Sequence, residues 1–95
     1  MKTQFALKLS MQFRLMDTDL WISGYTEKIG SAAVLFRAVE RIEPQSRIEM
    51  VFRMPVSDPC NLICSGTVLT VHSPSAQDTL HLISSTIDRY SFVRL

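Results

Sequence analysis

Apolar and polar residues alternate strictly along the first part of the chain. Over residues 5–15 the six apolar positions are Phe5, Leu7, Leu9, Met11, Phe13 and Leu15. A helix would distribute these side chains around its circumference, whereas in a strand they share one face. The segment therefore predicts a strand with one buried face and one solvated face.

Further segments have the alternation or the β-branched content of strands, and turn residues separate them. They are residues 20–26, 32–38, 47–54, 61–72 and 79–87. Glu27–Ser31 is predicted to be a corner in which Gly30 can adopt a positive φ, and Pro44–Ser46 a turn. Gly66 marks a bulge or a close contact within its strand. Six strands at such spacing, with little or no helix, predict an all-β antiparallel barrel or sandwich.

The same alternation predicts which residues form the core. We expect the core to include Leu7, Leu9, Met11, Phe13, Phe36, Ile48, Met50, Phe52 and Val68. The alternation also places all five phenylalanines at core positions, namely Phe5, Phe13, Phe36, Phe52 and Phe92. A chain of 95 residues fits one domain, so residues 1–95 are predicted to form a single barrel or sandwich.

Charge and composition exclude several classes of protein. Ten Lys and Arg against nine Asp and Glu give a formal net charge of +1, without the basic excess typical of nucleic-acid binding. No run approaches the roughly 18 apolar residues that a membrane span needs. The opening residues 1–13 are interrupted by Lys8, Ser10 and Gln12, unlike a secretory signal. We therefore expect a cytoplasmic protein that binds no nucleic acid.

The residues capable of chemistry do not form a catalytic or metal-binding pattern. Cys60 and Cys64, if both lie in one strand, would be about 13 Å apart, which is beyond disulfide reach. They are interpreted as small hydrophobic residues in a reducing compartment. His72 and His81 have no motif around them, and there is no glycine-rich phosphate loop. We expect no enzyme activity, no catalytic residues, no cofactor and no metal.

Several segments, taken in order, resemble the PilZ domain, a six-stranded antiparallel barrel of bacterial signalling proteins. They are FALKLSMQFRL, EKIGSAAVLF, IEPQSRIEMVFRMP, LICSGTVLTVH and TIDRYSFVRL. The resemblance covers nearly the whole chain and implies a single PilZ-like barrel. Members that bind cyclic di-GMP use an Arg-x-x-x-Arg segment before the first strand and an Asp/Asn-x-Ser-x-x-Gly turn. Arginine suits phosphate and guanine because its planar fork matches both.

This sequence departs from both of those elements. Lys28 stands at the position of the acid or amide, Gly30 at that of the serine and Ala33 at that of the glycine. Lysine can donate hydrogen bonds but cannot accept one from a guanine edge. In this sequence MKTQ precedes the first strand, so we expect the arginine pair to be missing there, and the literal match Arg37 to Arg41 follows the corner instead. The resemblance therefore implies a PilZ barrel with a degenerate nucleotide site.

Three hypotheses for the function remain. The first is a non-catalytic regulatory module that acts through a protein partner or as a homo-oligomer. The second is an atypical cyclic di-GMP receptor in which Lys28 acts with Arg37 or Arg41. The third is a small barrel that binds nucleic acid. Exposed aromatic residues anchor contact surfaces, so a partner patch is predicted at Trp21, Tyr25 and Tyr90, the alternative being that Trp21 and Tyr25 cover an open end of the barrel.

Overall fold

The computed structural model describes residues 4–5, 8–54, 60–75 and 79–94, and every regular element among them is a strand. The strands are β1 (Gln4–Phe5), β2 (Ser10–Leu15), β3 (Ile22–Gly30), β4 (Ala33–Ala38), β5 (Arg47–Met54), β6 (Cys60–His72), β7 (His81–Thr86) and β8 (Arg89–Arg94). The prediction of an all-β chain is confirmed. Within the described residues no helix is long and apolar enough to span a membrane.

Six of these strands close into a barrel. Their order is β3-β2-β5-β6-β7-β4, and pairing of β3 with β4 closes the ring. Every pairing is antiparallel. Closure leaves these strands without free edges over most of their length, and it confirms the six-stranded barrel rather than the open sandwich. The short β1 pairs with the last two residues of β3.

The barrel interior is built from alternate residues of each strand, as the period of two requires. Strand β5 shows this most regularly, because Ile48, Met50 and Phe52 are fully buried between more exposed neighbours. The predicted core residues that are buried are Leu9, Met11, Phe13, Phe36, Ile48, Met50, Phe52 and Val68. The predictions for Leu7 and for the side chain of Phe5 lie outside the described residues.

The prediction for the first corner is wrong in its position. Strand β3 does not end near Thr26 but continues to Gly30, and only Ser31 and Ala32 lie between β3 and β4. A bulge between Thr26 and Lys28 shifts the register of the two strands, which breaks the alternation and imitates a turn in the sequence. None of the three glycines, all within the described residues, has a positive φ, so Gly30 does not adopt the predicted conformation.

The beginning of β2 is fixed to the buried Thr26 of β3. The backbone N–H of Leu9 donates to Thr26 Oγ1 at 2.7 Å, and the N–H of Thr26 donates to the Leu9 carbonyl at 2.9 Å. In the first of these bonds the buried Thr26 hydroxyl, which has no exposed surface, accepts a hydrogen bond. They also mark the point at which the predicted long first strand is divided into β1 and β2.

Strand β8 is an addition to the predicted set of strands. It pairs with Cys60–Ser65 of β6, while β7 pairs with the second half of β6, so β7 and β8 follow one another along the same side. Among the described residues β6 is the only strand paired with β8. Phe92 was predicted to lie in the core, but it is 61% exposed, because β8 lies outside the ring of six strands that closes the barrel.

Candidate functional site: the β3–β4 corner and strand β8

The three residues at the degenerate motif positions lie at one end of the β3–β4 hairpin. Lys28 is exposed on β3 and pairs with Leu35 of β4. Gly30 is the last residue of β3, and Ala33 is the first residue of β4. The structure therefore brings Lys28, Gly30 and Ala33 to the same corner, with one cation among them.

Arg37 is engaged by a carboxylate on the neighbouring strand. Its Nε donates to Glu27 Oε1 at 2.6 Å, and the arginine side chain is only 21% exposed. A short bond between charged groups in a partly buried site is among the stronger side-chain contacts. A phosphate that used this guanidinium would have to compete with Glu27.

Arg41 lies apart from the hairpin corner. Strand β4 ends at Ala38, and Arg41 follows in the connection to β5, where it is exposed and paired with Glu43. Arg37 therefore lies on β4, whereas Arg41 lies beyond its end. The two guanidinium groups have separate carboxylate partners, Glu27 for Arg37 and Glu43 for Arg41.

Trp21 and Tyr25 lie on the outer surface, each beneath a cation. Arg14 stands 5.2 Å from the centre of the Trp21 ring, and Lys8 stands 4.4 Å from the centre of the Tyr25 ring. Trp21 immediately precedes β3 and is 39% exposed, while Tyr25 is half-buried. Both rings are covered in part by contacts within the chain.

Tyr90 is distant from these two aromatic residues. It lies within β8 and not after the last strand, as the sequence had indicated, and it is 65% exposed. Ile22, the residue after Trp21, pairs with Phe13, and Phe13 pairs with Met50. Met50 in turn pairs with Cys64, and Cys64 pairs with Tyr90. Four steps between strands correspond to about 19 Å along the curved wall of the barrel. Tyr90 therefore lies on a different part of the sheet from Trp21 and Tyr25.

An apolar cleft separates the β3–β4 corner from β8. We call it the corner cleft, and its lining includes Ile29, Gly30, Leu62, Cys64, Tyr90 and Phe92. Its volume is about 190 Å³, and none of the described residues that line it is charged. Small-molecule sites usually occupy about 300–1,000 Å³ and contain a few placed polar groups. The described part of the corner cleft is thus smaller and more apolar than sites of that kind.

The Cys64 thiol shows how apolar the base of this cleft is. Cys64 is 2% exposed, and burial raises the pKa of its thiol to about 11. Cys60 lies four residues earlier on the same strand and is half-buried, and both cysteines are free. The expected separation of the two thiols and the interpretation of Cys64 as a small buried hydrophobic residue agree with these positions.

We expect the folded chain to resist alkylation at Cys64. The thiolate is the nucleophile, and with a pKa of about 11 almost none is present at about pH 8. Iodoacetamide should therefore modify Cys60 first and modify Cys64 at a comparable rate only in denaturant, as peptide mass spectrometry can measure. Because the folded-state pKa exceeds the unfolded one, the stability linked to this thiol should decline as the pH rises from 9.0 towards about 11. Equal labelling of both cysteines in the folded chain would contradict this.

The closed barrel with its added strand has a PilZ-like fold, as comparison with a solved structure shows. The structure is similar to that of the Bacillus subtilis inhibitor of motility MotI/DgrA, a PilZ-domain protein, with a TM-score of 0.80 and 8% sequence identity. The match covers 95% of this chain and 43% of that chain, so this chain spans less than half of that protein. At this identity the similarity shows the fold alone. No protein-family model matches the sequence, and no curated protein is significantly similar to it.

Sequence reasoning did not identify Phe92 as a surface residue. Tyr90 and Phe92 are two residues apart, and their rings meet edge to face with centres 6.3 Å apart. The signal available in the sequence was the alternation of polar and aromatic residues in RYSFVR, which is typical of a strand. That alternation does not reveal that this strand pairs with a single strand among the described residues.

Proposed function

We propose that this chain is a non-catalytic bacterial regulatory module of the PilZ type, acting in the cytoplasm through protein–protein contact and not through cyclic di-GMP. One observation carries this proposal: among the described residues, those that line the corner cleft carry no charge, and they include the exposed rings of Tyr90 and Phe92. Exposed aromatic residues suit a protein partner, whereas a bis-phosphate ligand requires cations. The similarity in fold to an inhibitor of motility supports a regulatory role.

The free energy that binding of cyclic di-GMP requires also argues against this chain being a receptor for it. Micromolar affinity corresponds to about 8 kcal/mol. Hydrogen bonds to charged groups contribute roughly 1.5–3 kcal/mol each. Lys28 stands where the family has the base-reading acid or amide, so the corner lacks at least one such contact, roughly 1.5–3 kcal/mol. Lys28 can attract a phosphate as a point charge, but it lacks the planar geometry that recognises guanine.

The alternative receptor would use Lys28 with Arg37 and Arg41. Such a site would have to displace Glu27 from Arg37 and Glu43 from Arg41 before either guanidinium could hold a phosphate. It would also have to draw Arg41 from beyond the end of β4 towards the corner. Each of these changes opposes binding, and this is why we prefer the protein-contact module.

We expect calorimetric titration with cyclic di-GMP at low salt to show no saturable site tighter than about 10 μM. Low salt favours any site that depends on charge, so it is the most demanding condition for this prediction. Glu27→Gln is the informative variant, because it releases Arg37 from its carboxylate without changing the size of residue 27. We expect this variant also to remain without micromolar binding.

Two further variants identify the site if binding is seen. Saturable binding by the parent chain that is lost in Lys28→Ala or Arg41→Ala would replace the module with the atypical receptor. Saturable binding that persists in both variants would also contradict the proposal and would place the ligand elsewhere on the barrel. Titration with GMP distinguishes recognition of the cyclic dinucleotide from a general affinity for phosphate.

A further inference from the structure

Strand β8 presents an edge for pairing. Arg89–Arg94 pair with β6 along one side, and no other described strand lies along the opposite side. Alternate residues of such a strand direct their N–H and C=O groups away from the sheet, where they remain available to another strand. Residues 89–93 are all exposed, including Tyr90 at 65%, Phe92 at 61% and Val93 at 44%.

The residues of this edge are arranged nearly symmetrically about Ser91. Tyr90 and Phe92 flank Ser91, and Arg89 and Val93 lie one step further out. If two copies of β8 paired antiparallel with Ser91 opposite itself, each Tyr90 would face a Phe92 of the other copy. Each Arg89 would face a Val93, so no like charges would lie opposite each other. Aromatic pairs directly across an antiparallel ladder are favourable.

Other registers fit this edge less well. Moving the pairing by one residue turns one copy over relative to the other, so the pair loses its two-fold symmetry. Centring it on Tyr90 sets Phe92 opposite Asp88, and centring it on Phe92 sets Tyr90 opposite Arg94, so both registers lose the pairing of Tyr90 with Phe92. The register centred on Ser91 is therefore the one that this sequence favours.

We propose that two copies of this chain associate through antiparallel pairing of their β8 strands, with the two-fold axis at Ser91. The pairing continues the β6–β8 sheet of one copy into the other, and it brings Tyr90 and Phe92 of both copies together beside the two corner clefts. It rests on the proposed function, in that it takes protein contact as the mode of action and names the partner as a second copy.

The size of the edge determines the strength of association. In this register the five residues 89–93 of each β8 face one another, and interfaces below about 1,200 Å² in total belong to weak or transient complexes. We therefore expect an equilibrium that depends on concentration, with a dissociation constant on the order of 100 μM. Sedimentation of the full chain should show an average mass that rises towards that of two chains.

Opposite charges at position 91 test both the partner and the register. Ser91→Asp and Ser91→Lys each place two like charges across the axis, and like charges directly opposite destabilise a pair of strands. Each variant alone should dimerise at least about tenfold more weakly than the parent, and an equimolar mixture of the two should recover dimers. Ser23→Asp is the matched control, because Ser23 is an exposed serine on β3. It should associate like the parent chain.

Several results would overturn this dimer. They are a parent chain that stays monomeric at all concentrations, a Ser91→Asp chain that associates like the parent, and a mixture that does not recover. A monomeric parent would leave the cyclic di-GMP titration unaffected, so failure of the dimer is distinguishable from failure of the proposed function.

A cross-linking experiment keeps the test valid if a charged variant fails to fold. Directly opposed residues of an antiparallel pair have Cα atoms about 4.5–5.5 Å apart, which is within disulfide reach. In a Cys60→Ser background, Ser91→Cys should form a disulfide-linked dimer on mild oxidation, while Ser23→Cys should not. Absence of the Ser91→Cys cross-link at high concentration would contradict the β8 pairing.

Discussion

Replacing Gly66 by alanine should lower the free energy of unfolding by at least about 3 kcal/mol. Gly66 lies in the middle of β6, where the strand changes its partner from β8 to β7. A Cβ at this position would stand 1.9 Å from the carbonyl oxygen of Thr86 and 2.8 Å from Ser85 Oγ. The first of these neighbours is backbone, so it cannot move aside without disturbing the pairing of β6 with β7.

Chemical denaturation of Gly66→Ala beside the parent chain measures this effect. Ser23→Ala is a suitable control, because Ser23 is exposed on β3 and its replacement should change the stability by less than about 0.5 kcal/mol. Gly24→Ala provides an intermediate case, since its Cβ would meet the Arg37 carbonyl oxygen at 2.6 Å. A Gly66→Ala chain as stable as the parent would show that β6 and β7 can separate at this point without cost.

The sequence was sufficient to predict the barrel because most of its strands bury one face. Burial of alternate residues is a local property, so Met11 and Phe13 on β2 and Ile48 and Met50 on β5 were identifiable without knowledge of their partners. Gly66 was also recognised as a close contact or a bulge, and the structure shows the close contact. These features follow from the residues of one strand at a time.

Features that depend on pairing between strands were not predictable in the same way. The bulge between Thr26 and Lys28 moves β3 by one position relative to β4, and it concealed the continuation of that strand. The ion pair of Arg37 with Glu27 joins residues on two strands, so it follows from this register and not from either segment alone. The position of the candidate nucleotide site was therefore predictable from the sequence. The ion pair that Arg37 forms with Glu27 was not.

Phe36→Ala should lower the free energy of unfolding by about 3–5 kcal/mol, whereas Phe92→Ala should change it by less than about 0.5 kcal/mol. The alternation of the sequence assigns both phenylalanines to the core, but the structure separates them. Phe36 has no exposed surface, and its ring lies 5.1 Å from that of Phe13. Its removal would leave a cavity in the barrel interior, where the surrounding strands are closed and can collapse only in part.

Phe92 is a matched control for this substitution, because the same side chain is removed from a position that is 61% exposed. Both variants should be unfolded at low protein concentration, so that any association through β8 does not add to the stability of the parent. A natural domain of this size is stable by only about 5–15 kcal/mol, so Phe36→Ala should remove a large part of the total. Equal losses for the two variants would mean that Phe92 is buried in solution, either within the chain or against a partner that persists on dilution.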